Sequence, residues 1–277
     1  MSDALIKVGA WALEGPIWLI GCGNMAGAML RRWLDCGLNP REVTVIRQSG
    51  APVADGVTVL TALPPDGPVP ALVMLGVKPQ MLDSVAPDLA PLLSEQTLLV
   101  SILAGVELAA LRRRFSMPHT IVRAMPNTPV AVGQGVVALA SDSADQGPRD
   151  RVEALMQPLG LVEWVDEELF DVATALAGSG PAFLFRFIDA LAEAGTDAGL
   201  PADQAARFAL AMVQGSATLA ANADESPRAL ADRVASPGGS TRRGLDVLDE
   251  DGGLNPLIRN TLMAAILRNR EMADAAR

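Results

Sequence analysis

An apolar run, Ile17-Trp18-Leu19-Ile20, gives way to Gly21-Cys22-Gly23-Asn24-Met25-Ala26, and a helical pattern follows through Met29, Leu30, Trp33 and Leu34. No other stretch limits the fold so sharply. Strand, Gly-x-Gly turn and helix open the βαβ unit that binds dinucleotides. Glycine lets a pyrophosphate approach the backbone, and the helix dipole attracts it. Ala26 takes the third glycine position. The competing reading is a tight turn without a ligand, and the order of elements favours the dinucleotide site.

The following sequence repeats the theme. Val43-Thr44-Val45-Ile46, Leu72 to Val77, Thr97 to Ile102, Thr120 to Met125 and Gly135 to Ala140 are apolar runs of strand length, with a shorter one over Val162-Glu163-Trp164-Val165. Helical patterns run through Met81, Val85 and Leu89, and over residues 106–114 and 151–159. Such alternation predicts an α/β fold, a doubly wound Rossmann-type parallel sheet. After Asp166 the pattern changes. Residues 168–177, 181–198, 201–222, 227–234 and 244–277 read as helices rich in Ala and Leu, punctuated by Gly or Pro. The expected division is a Rossmann domain over 1–166 and an all-helical domain over 167–277, the latter suited to pairing with its copy.

Composition prunes the chemistry. The net charge of −10 argues against nucleic acid or an anionic membrane as partner. There is no tyrosine, one histidine (His119) and two lysines, Lys7 and Lys78, so a Tyr acid or a His-based triad has almost nothing to draw on. Cys22 and Cys36 have no metal-site spacing, and no metal is expected. The N-terminus lacks a signal-peptide pattern and no apolar run reaches membrane-span length, so a cytoplasmic protein with reduced thiols is expected.

Several residues stand where such a sheet binds ligands. At the end of the second strand Ile46-Arg47-Gln48-Ser49 replaces the acidic residue that would bond a ribose hydroxyl; Arg47 and Ser49 suit a 2′-phosphate, which favours NADPH, with NADH as a weaker donor. Val77-Lys78-Pro79 closes another strand at the sheet's crevice. Asn127, in the stiff loop Met125-Pro126-Asn127-Thr128-Pro129, is suited to orient a nicotinamide amide or a water, or to cap the turn. Ala177-Gly178-Ser179-Gly180-Pro181 links two helices. Finally, Ser236-Pro237-Gly238-Gly239-Ser240-Thr241 bends tightly before a helix, presenting free N–H groups and two hydroxyls that suit an anion, although an ordinary helix cap has the same form.

Together these motifs resemble the pyrroline-5-carboxylate reductase family, from about Ile17 to Met272. Pro227-x-x-Leu230, Val234, residues 236–241 and Gly244-Leu245-x-x-Leu248-Asp249 look like the family signature. The Gly21–Ala26 motif, Val77-Lys78-Pro79, the Asn127 loop and Gly178-Ser179-Gly180-Pro181 match in order. The resemblance implies NADPH-dependent reduction of a carboxylated five-membered cyclic imine to L-proline. It implies cofactor contacts from Gly21, Cys22, Gly23, Asn24, Met25, Ala26, Arg47, Ser49, Val77, Lys78, Pro79 and Asn127. It implies substrate contacts from Ser179, Gly180, Ser236, Gly238, Gly239, Ser240 and Thr241. Thr241 is the catalytic candidate, its hydroxyl bonding the imine nitrogen. The resemblance further implies a homodimer with interlocked helical domains, each substrate loop lying against a partner's cofactor domain, and assembly of dimers into rings. Two departures stand out: residues 1–16 precede the family's usual start, as an added strand or loose tail, and Arg242-Arg243 follow the signature, where solvent-facing side chains are expected.

Two rival readings share parts of this pattern. A β-hydroxyacid dehydrogenase shares the Gly-x-Gly start and a helical second domain, but those enzymes resemble one another in using a lysine there, and no lysine follows Lys78. A non-catalytic NADP-binding regulator is disfavoured by the intact loop at residues 236–241.

Overall fold

The computed structural model describes residues 15–276. The expectation for the N-terminal extension therefore lies outside the described residues, except at Gly15 and Pro16.

Strand β1 (Ile17–Ile20) is buried on both faces, as an unbroken apolar run requires. Ile17 and Leu19 enter one core cluster, Trp18 and Ile20 the other. On the first face, helices α1 (Asn24–Asp35) and α4 (Gln146–Met156) contribute Met29, Leu30, Trp33, Val152, Leu155 and Met156. Trp33 Nε1 donates to Leu155 O at 2.7 Å and ties the two helices together. On the second face, α2 (Leu82–Leu89), α3 (Leu108–Arg114) and α5 (Phe170–Ala173) supply Leu82, Leu89, Leu111 and Phe170.

The sheet holds eight strands in the order β3-β2-β1-β4-β5-β6-β7-β8. The others are β2 (Val43–Ile46), β3 (Thr58–Leu60), β4 (Leu72–Leu75), β5 (Leu98–Ser101), β6 (Thr120–Pro126), β7 (Gly135–Ser141) and β8 (Gly160–Trp164). Pairing is parallel from β3 to β6, antiparallel between β6 and β7, and parallel again between β7 and β8. The reversal at β7 follows from its short connection, residues 127–134, because a parallel crossover needs about a dozen residues or more. The order turns back between β1 and β4, leaving a crevice at the carboxyl ends of those strands. The mostly parallel, doubly wound sheet is thus as expected; β3, a three-residue edge strand, was not foreseen.

The remaining helices are α6 (Gly180–Asp197), α7 (Ala202–Ala221), α8 (Pro227–Val234), α9 (Ser240–Asp249) and α10 (Leu254–Ala276). The helix expected over 244–277 is two helices: it begins at Ser240 and breaks at residues 250–253, where Gly252 takes φ +89°. The chain forms two compact units, one of residues up to Ser179 with Ile266 onward, the other Gly180–Ala265. This division differs from a cut at 166/167. Phe170 belongs to the sheet's core, Asn269 Nδ2 donates to Asp171 O at 3.2 Å, and a Cβ on Gly105 (φ +73°) would meet Met272 Cβ at 2.8 Å. The end of α10 therefore packs on the sheet unit.

The second unit carries many exposed apolar side chains, among them Phe185, Phe187, Phe208, Leu210 and Ile258. One correction follows. The segment Glu167–Asp197 is, by length and composition, apolar enough to cross a membrane, with mean hydropathy 1.2 in an 18-residue window. Scattered charges such as Arg186 and Asp189 hide this from a search for unbroken apolar runs.

Candidate active site

The crevice between β1 and β4 opens into a cavity of about 910 Å³. Gly21, Cys22, Gly23, Arg47, Ser49 and Val77 all line it, so the structure gathers six of the predicted cofactor residues around one space. Gly21 has φ +83°, and a Cβ there would lie 2.9 Å from Gly76 O, Val77 N and Val77 Cγ1. Its N–H donates to Ile46 O at 2.8 Å, while Gly76 N–H donates to Ile20 O at 2.8 Å. Two loops thus cross backbone to backbone at this glycine. Gly23 differs: it is the N-cap of α1, and a Cβ on it would meet nothing within 4 Å. The space above Gly23 and the free N–H groups opening α1 make an anion cradle.

Arg47 begins the turn after β2. Its N–H reaches Leu60 O at 2.9 Å, and Gly50 N–H closes the turn onto Arg47 O at 3.1 Å, with Gly50 at φ +61°. Ser49 Oγ accepts from Ala51 N–H at 3.4 Å. Burial pushes the Cys22 thiol above its ordinary 9.0, opposed in part by the positive charges of Arg47 and then Arg31. Two guanidinium groups therefore act on the glycine loop, a field that suits phosphates.

The other predicted cofactor residues do not line the cavity. Asn24 and Met25 form the first turn of α1, and Ala26 is buried, its Cβ 3.1 Å from where a Cβ on Gly76 would stand. Lys78 is exposed and Pro79 half-buried at a single helical turn, Pro79–Met81. Asn127 is buried and its amide is committed to the protein: Nδ2 donates to Ala177 O at 2.9 Å and Oδ1 accepts from Val136 N–H at 2.9 Å. It staples the loop after β6 to the start of β7 and to the π-helical turn Thr174–Gly178. Ser179 ends that turn, its N–H donating to Thr174 O at 3.1 Å, and Gly180 opens α6.

Sequence reasoning missed Gly76, Gln48, Thr61 to Leu63 and the α2 face of Met81, Ser84, Val85 and Asp88, all of which line the cavity. Gly76 was legible in principle, since a glycine within an apolar strand run marks a close backbone approach. Thr61 to Leu63 were not, because they follow a short, half-exposed edge strand that has no apolar signature.

In the second unit, Gly239 is the N-cap of α9, so Ser240 and Thr241 are its first two residues and not part of the preceding loop. Gly238 takes φ +73°, and Gly239 N–H closes a turn onto Ser236 O at 2.9 Å. The first backbone bond into α9 is Arg243 N–H to Gly239 O at 3.2 Å. Among the described residues, the N–H groups of Gly238, Ser240, Thr241 and Arg242 have no backbone acceptor, and the hydroxyls of Ser236, Ser240 and Thr241 are exposed and unbonded. Gly239 N–H is spent within the turn, whereas Arg242 N–H is as open as those of Gly238, Ser240 and Thr241. The arrangement can bind a small carboxylate while presenting a hydroxyl beside it.

Arg242 does not simply face solvent, as expected. Its side chain is 29% exposed and pairs with Asp232, Asp246 and Asp249 at 3.5, 2.8 and 2.9 Å. Arg243, 82% exposed, meets the expectation.

Comparison with known proteins adds two family matches: the model for pyrroline-5-carboxylate reductase dimerisation at residues 167–272, and that for NADP oxidoreductase, coenzyme F420-dependent, at residues 16–105. A pyrroline-5-carboxylate reductase of a Synechocystis species is 37% identical over 262 residues, 92% of this chain and 97% of its own. The solved structure of a pyrroline-5-carboxylate reductase from Coxiella burnetii is 31% identical with a TM-score of 0.85, covering 94% of this chain and 98% of that one. The Plasmodium falciparum enzyme, crystallised with NADP bound, shares the fold at a TM-score of 0.82 and 24% identity, covering 94% of this chain and 99% of its own.

Proposed function

The chain belongs to the pyrroline-5-carboxylate reductase family, and from that premise we infer that it reduces 1-pyrroline-5-carboxylate to L-proline with NADPH, the last step of proline biosynthesis. The observation that carries the reading is that one chain holds both halves of the required chemistry. One is a Rossmann cavity bounded by Gly21 to Gly23 and Arg47; the other is a helix start at residues 236–241 with unspent N–H groups.

The first half fits NADPH on its own geometry. The open space over Gly23 accommodates a pyrophosphate, and Arg47 with Ser49 suits a 2′-phosphate. When bound, NADPH supplies the hydride for the imine carbon. In our assignment the protein's residues orient and polarise. The N–H groups of Gly238, Ser240 and Thr241 hold the substrate carboxylate. The Thr241 hydroxyl donates to the ring nitrogen, drawing electron density from the C=N bond, and as the hydride reaches carbon the nitrogen takes up a proton from solvent. No strong base is required, consistent with a chain lacking tyrosine and holding one histidine. Rate enhancement then rests on orientation and modest hydrogen bonding. Asn127 acts by holding its loop and the turn before Ser179, since its amide is already bonded at both ends.

We further propose an interlocked homodimer that assembles into rings in the cytoplasm. The match to the dimerisation model and the exposed apolar residues of α6 and α7 support subunit contact. On this reading the exposed apolar residues of the segment Glu167–Asp197 from Gly180 onward face a partner subunit and not lipid, in keeping with Arg186, Asp189 and Glu193 among them. Sedimentation at assay concentration tests the assembly, and a monomer would end that proposal.

Loss of the NADPH absorbance band on adding 1-pyrroline-5-carboxylate tests the reaction. Thr241→Ala tests the site: loss of one hydrogen bond to a charged or polarised group, about 1.5–3 kcal/mol, lowers kcat roughly 10- to 150-fold with NADPH affinity retained. Unchanged turnover at saturating imine removes Thr241 from the mechanism.

A further inference from the structure

We propose that Arg242 is a positioning residue for the substrate carboxylate, tying the helix before residues 236–241 to the helix after them. The proposal rests on the assignment of the carboxylate to that helix start.

The turn has few supports of its own. One backbone hydrogen bond closes it, from Gly239 N–H to Ser236 O, and α9 has no side-chain cap. Among the described residues, no side chain hydrogen-bonds the backbone of residues 236–241. Gly238 and Gly239 give that stretch wide backbone freedom, which binding a ligand must remove.

Arg242 supplies the missing restraint. It is the third residue of α9, so its backbone N–H belongs to the cradle while its side chain turns away from it. Nε donates to Asp246 Oδ1 at 2.8 Å and Nη2 to Asp249 Oδ2 at 2.9 Å, both along α9. Nη1 lies 3.5 Å from Asp232 Oδ1, on α8. The planar guanidinium reaches three carboxylates in three directions, which an ammonium group on a flexible stem cannot reproduce. Of the three pairs, only the one to Asp232 spans the turn. Arg242 also offsets the negative charges of Asp232 on α8 and of Asp246 and Asp249 farther along α9.

The test is steady-state kinetics of the whole enzyme at saturating NADPH with 1-pyrroline-5-carboxylate varied. For Arg242→Gln the expected result is a KM for the imine raised about five- to tenfold, kcat within about twofold and the KM for NADPH unchanged. Asp232→Asn, which cuts only the inter-helix pair, raises the same KM about threefold. Asp246→Asn, which cuts only pairs within α9, those to Arg242 and Arg243, leaves it within about twofold. Arg242→Lys restores the charge but not the fork, and recovers part of the loss. Unchanged imine KM in Arg242→Gln overturns the proposal. So does an equal effect of Asp232→Asn and Asp246→Asn, which would assign the effect to local charge and not to the tie. If Arg242→Gln fails to fold, that pair of aspartate variants decides. Ser240→Pro distinguishes the two levels, since it removes one cradle N–H at the first position of α9, where a helix tolerates proline. If it raises the imine KM while Arg242→Gln is silent, this inference alone fails; if both are silent, the carboxylate assignment fails with it.

Discussion

Two glycines two residues apart should fail in different ways when each is given one methyl group. At Gly21 the new Cβ stands 2.9 Å from Gly76 O, Val77 N and Val77 Cγ1. Two of these atoms are backbone within a strand-end crossing and cannot swing aside. The φ of +83° adds strain for any L-residue, about 1–2 kcal/mol. Overpacking costs about 1–3 kcal/mol more. Gly21→Ala should therefore lose about 2–5 kcal/mol, a fall in Tm of roughly 5–15 °C for a unit of this size. At Gly23 the Cβ meets nothing within 4 Å, and φ of −81° with ψ of −164° is ordinary. Alanine caps a helix less well than glycine, but it also lowers the entropy of the unfolded chain, so the net change stays within about 1 kcal/mol. Its methyl nevertheless occupies the space assigned to the pyrophosphate. Gly23→Ala should keep the Tm of the apo protein and raise the NADPH Kd roughly tenfold to a hundredfold. Thermal melts of the apo proteins and fluorescence titration with NADPH measure both quantities. Wild-type affinity in Gly23→Ala, or equal destabilisation of both variants, would refute the assignment of space and strain made here.

Arg47→Ala should weaken NADPH by roughly tenfold or more through loss of a charge-assisted hydrogen bond, with NADH nearly unaffected; equal loss for both cofactors removes the 2′-phosphate contact. Asn127→Ala leaves Val136 N–H and Ala177 O without partners in a buried setting, so we expect about 2–4 kcal/mol of destabilisation in a denaturant melt, and an unchanged midpoint would show the staple to be idle. The folded chain holds the Cys22 proton above its ordinary 9.0, so it retains that proton at pH values where the unfolded chain has released it. The sign follows: stability is lost as pH rises through 9.0, and in a Cys36→Ser background alkylation of Cys22 accelerates only above that pH and is slowed by NADPH. Rapid alkylation already at pH 7 would contradict this.

Short-range chemistry was legible in the chain itself. Buried parallel strands are continuous apolar runs because both faces are covered, so β1, β2, β4, β5 and β6 could be read without coordinates. The Gly21-x-Gly23 turn, the proline-stiffened Asn127 loop and the start of α8 are written in local residues whose backbone preferences act within a few positions. Tertiary structure decided what depends on partners far along the chain. Strand β3 exists because Thr58-Val59-Leu60 has β2 to pair with. Asn127 became a staple because Ala177, fifty positions on, stands within hydrogen-bond reach. The end of α10 joined the sheet unit because Gly105 leaves room for Met272. Arg242 passed for a surface residue because sequence gives no directions to side chains; Asp232 on α8 is what turns one guanidinium into a tie. Sequence carries the intrinsic preferences of each segment, whereas a long-range contact is fixed only when packing brings both partners within a few ångströms.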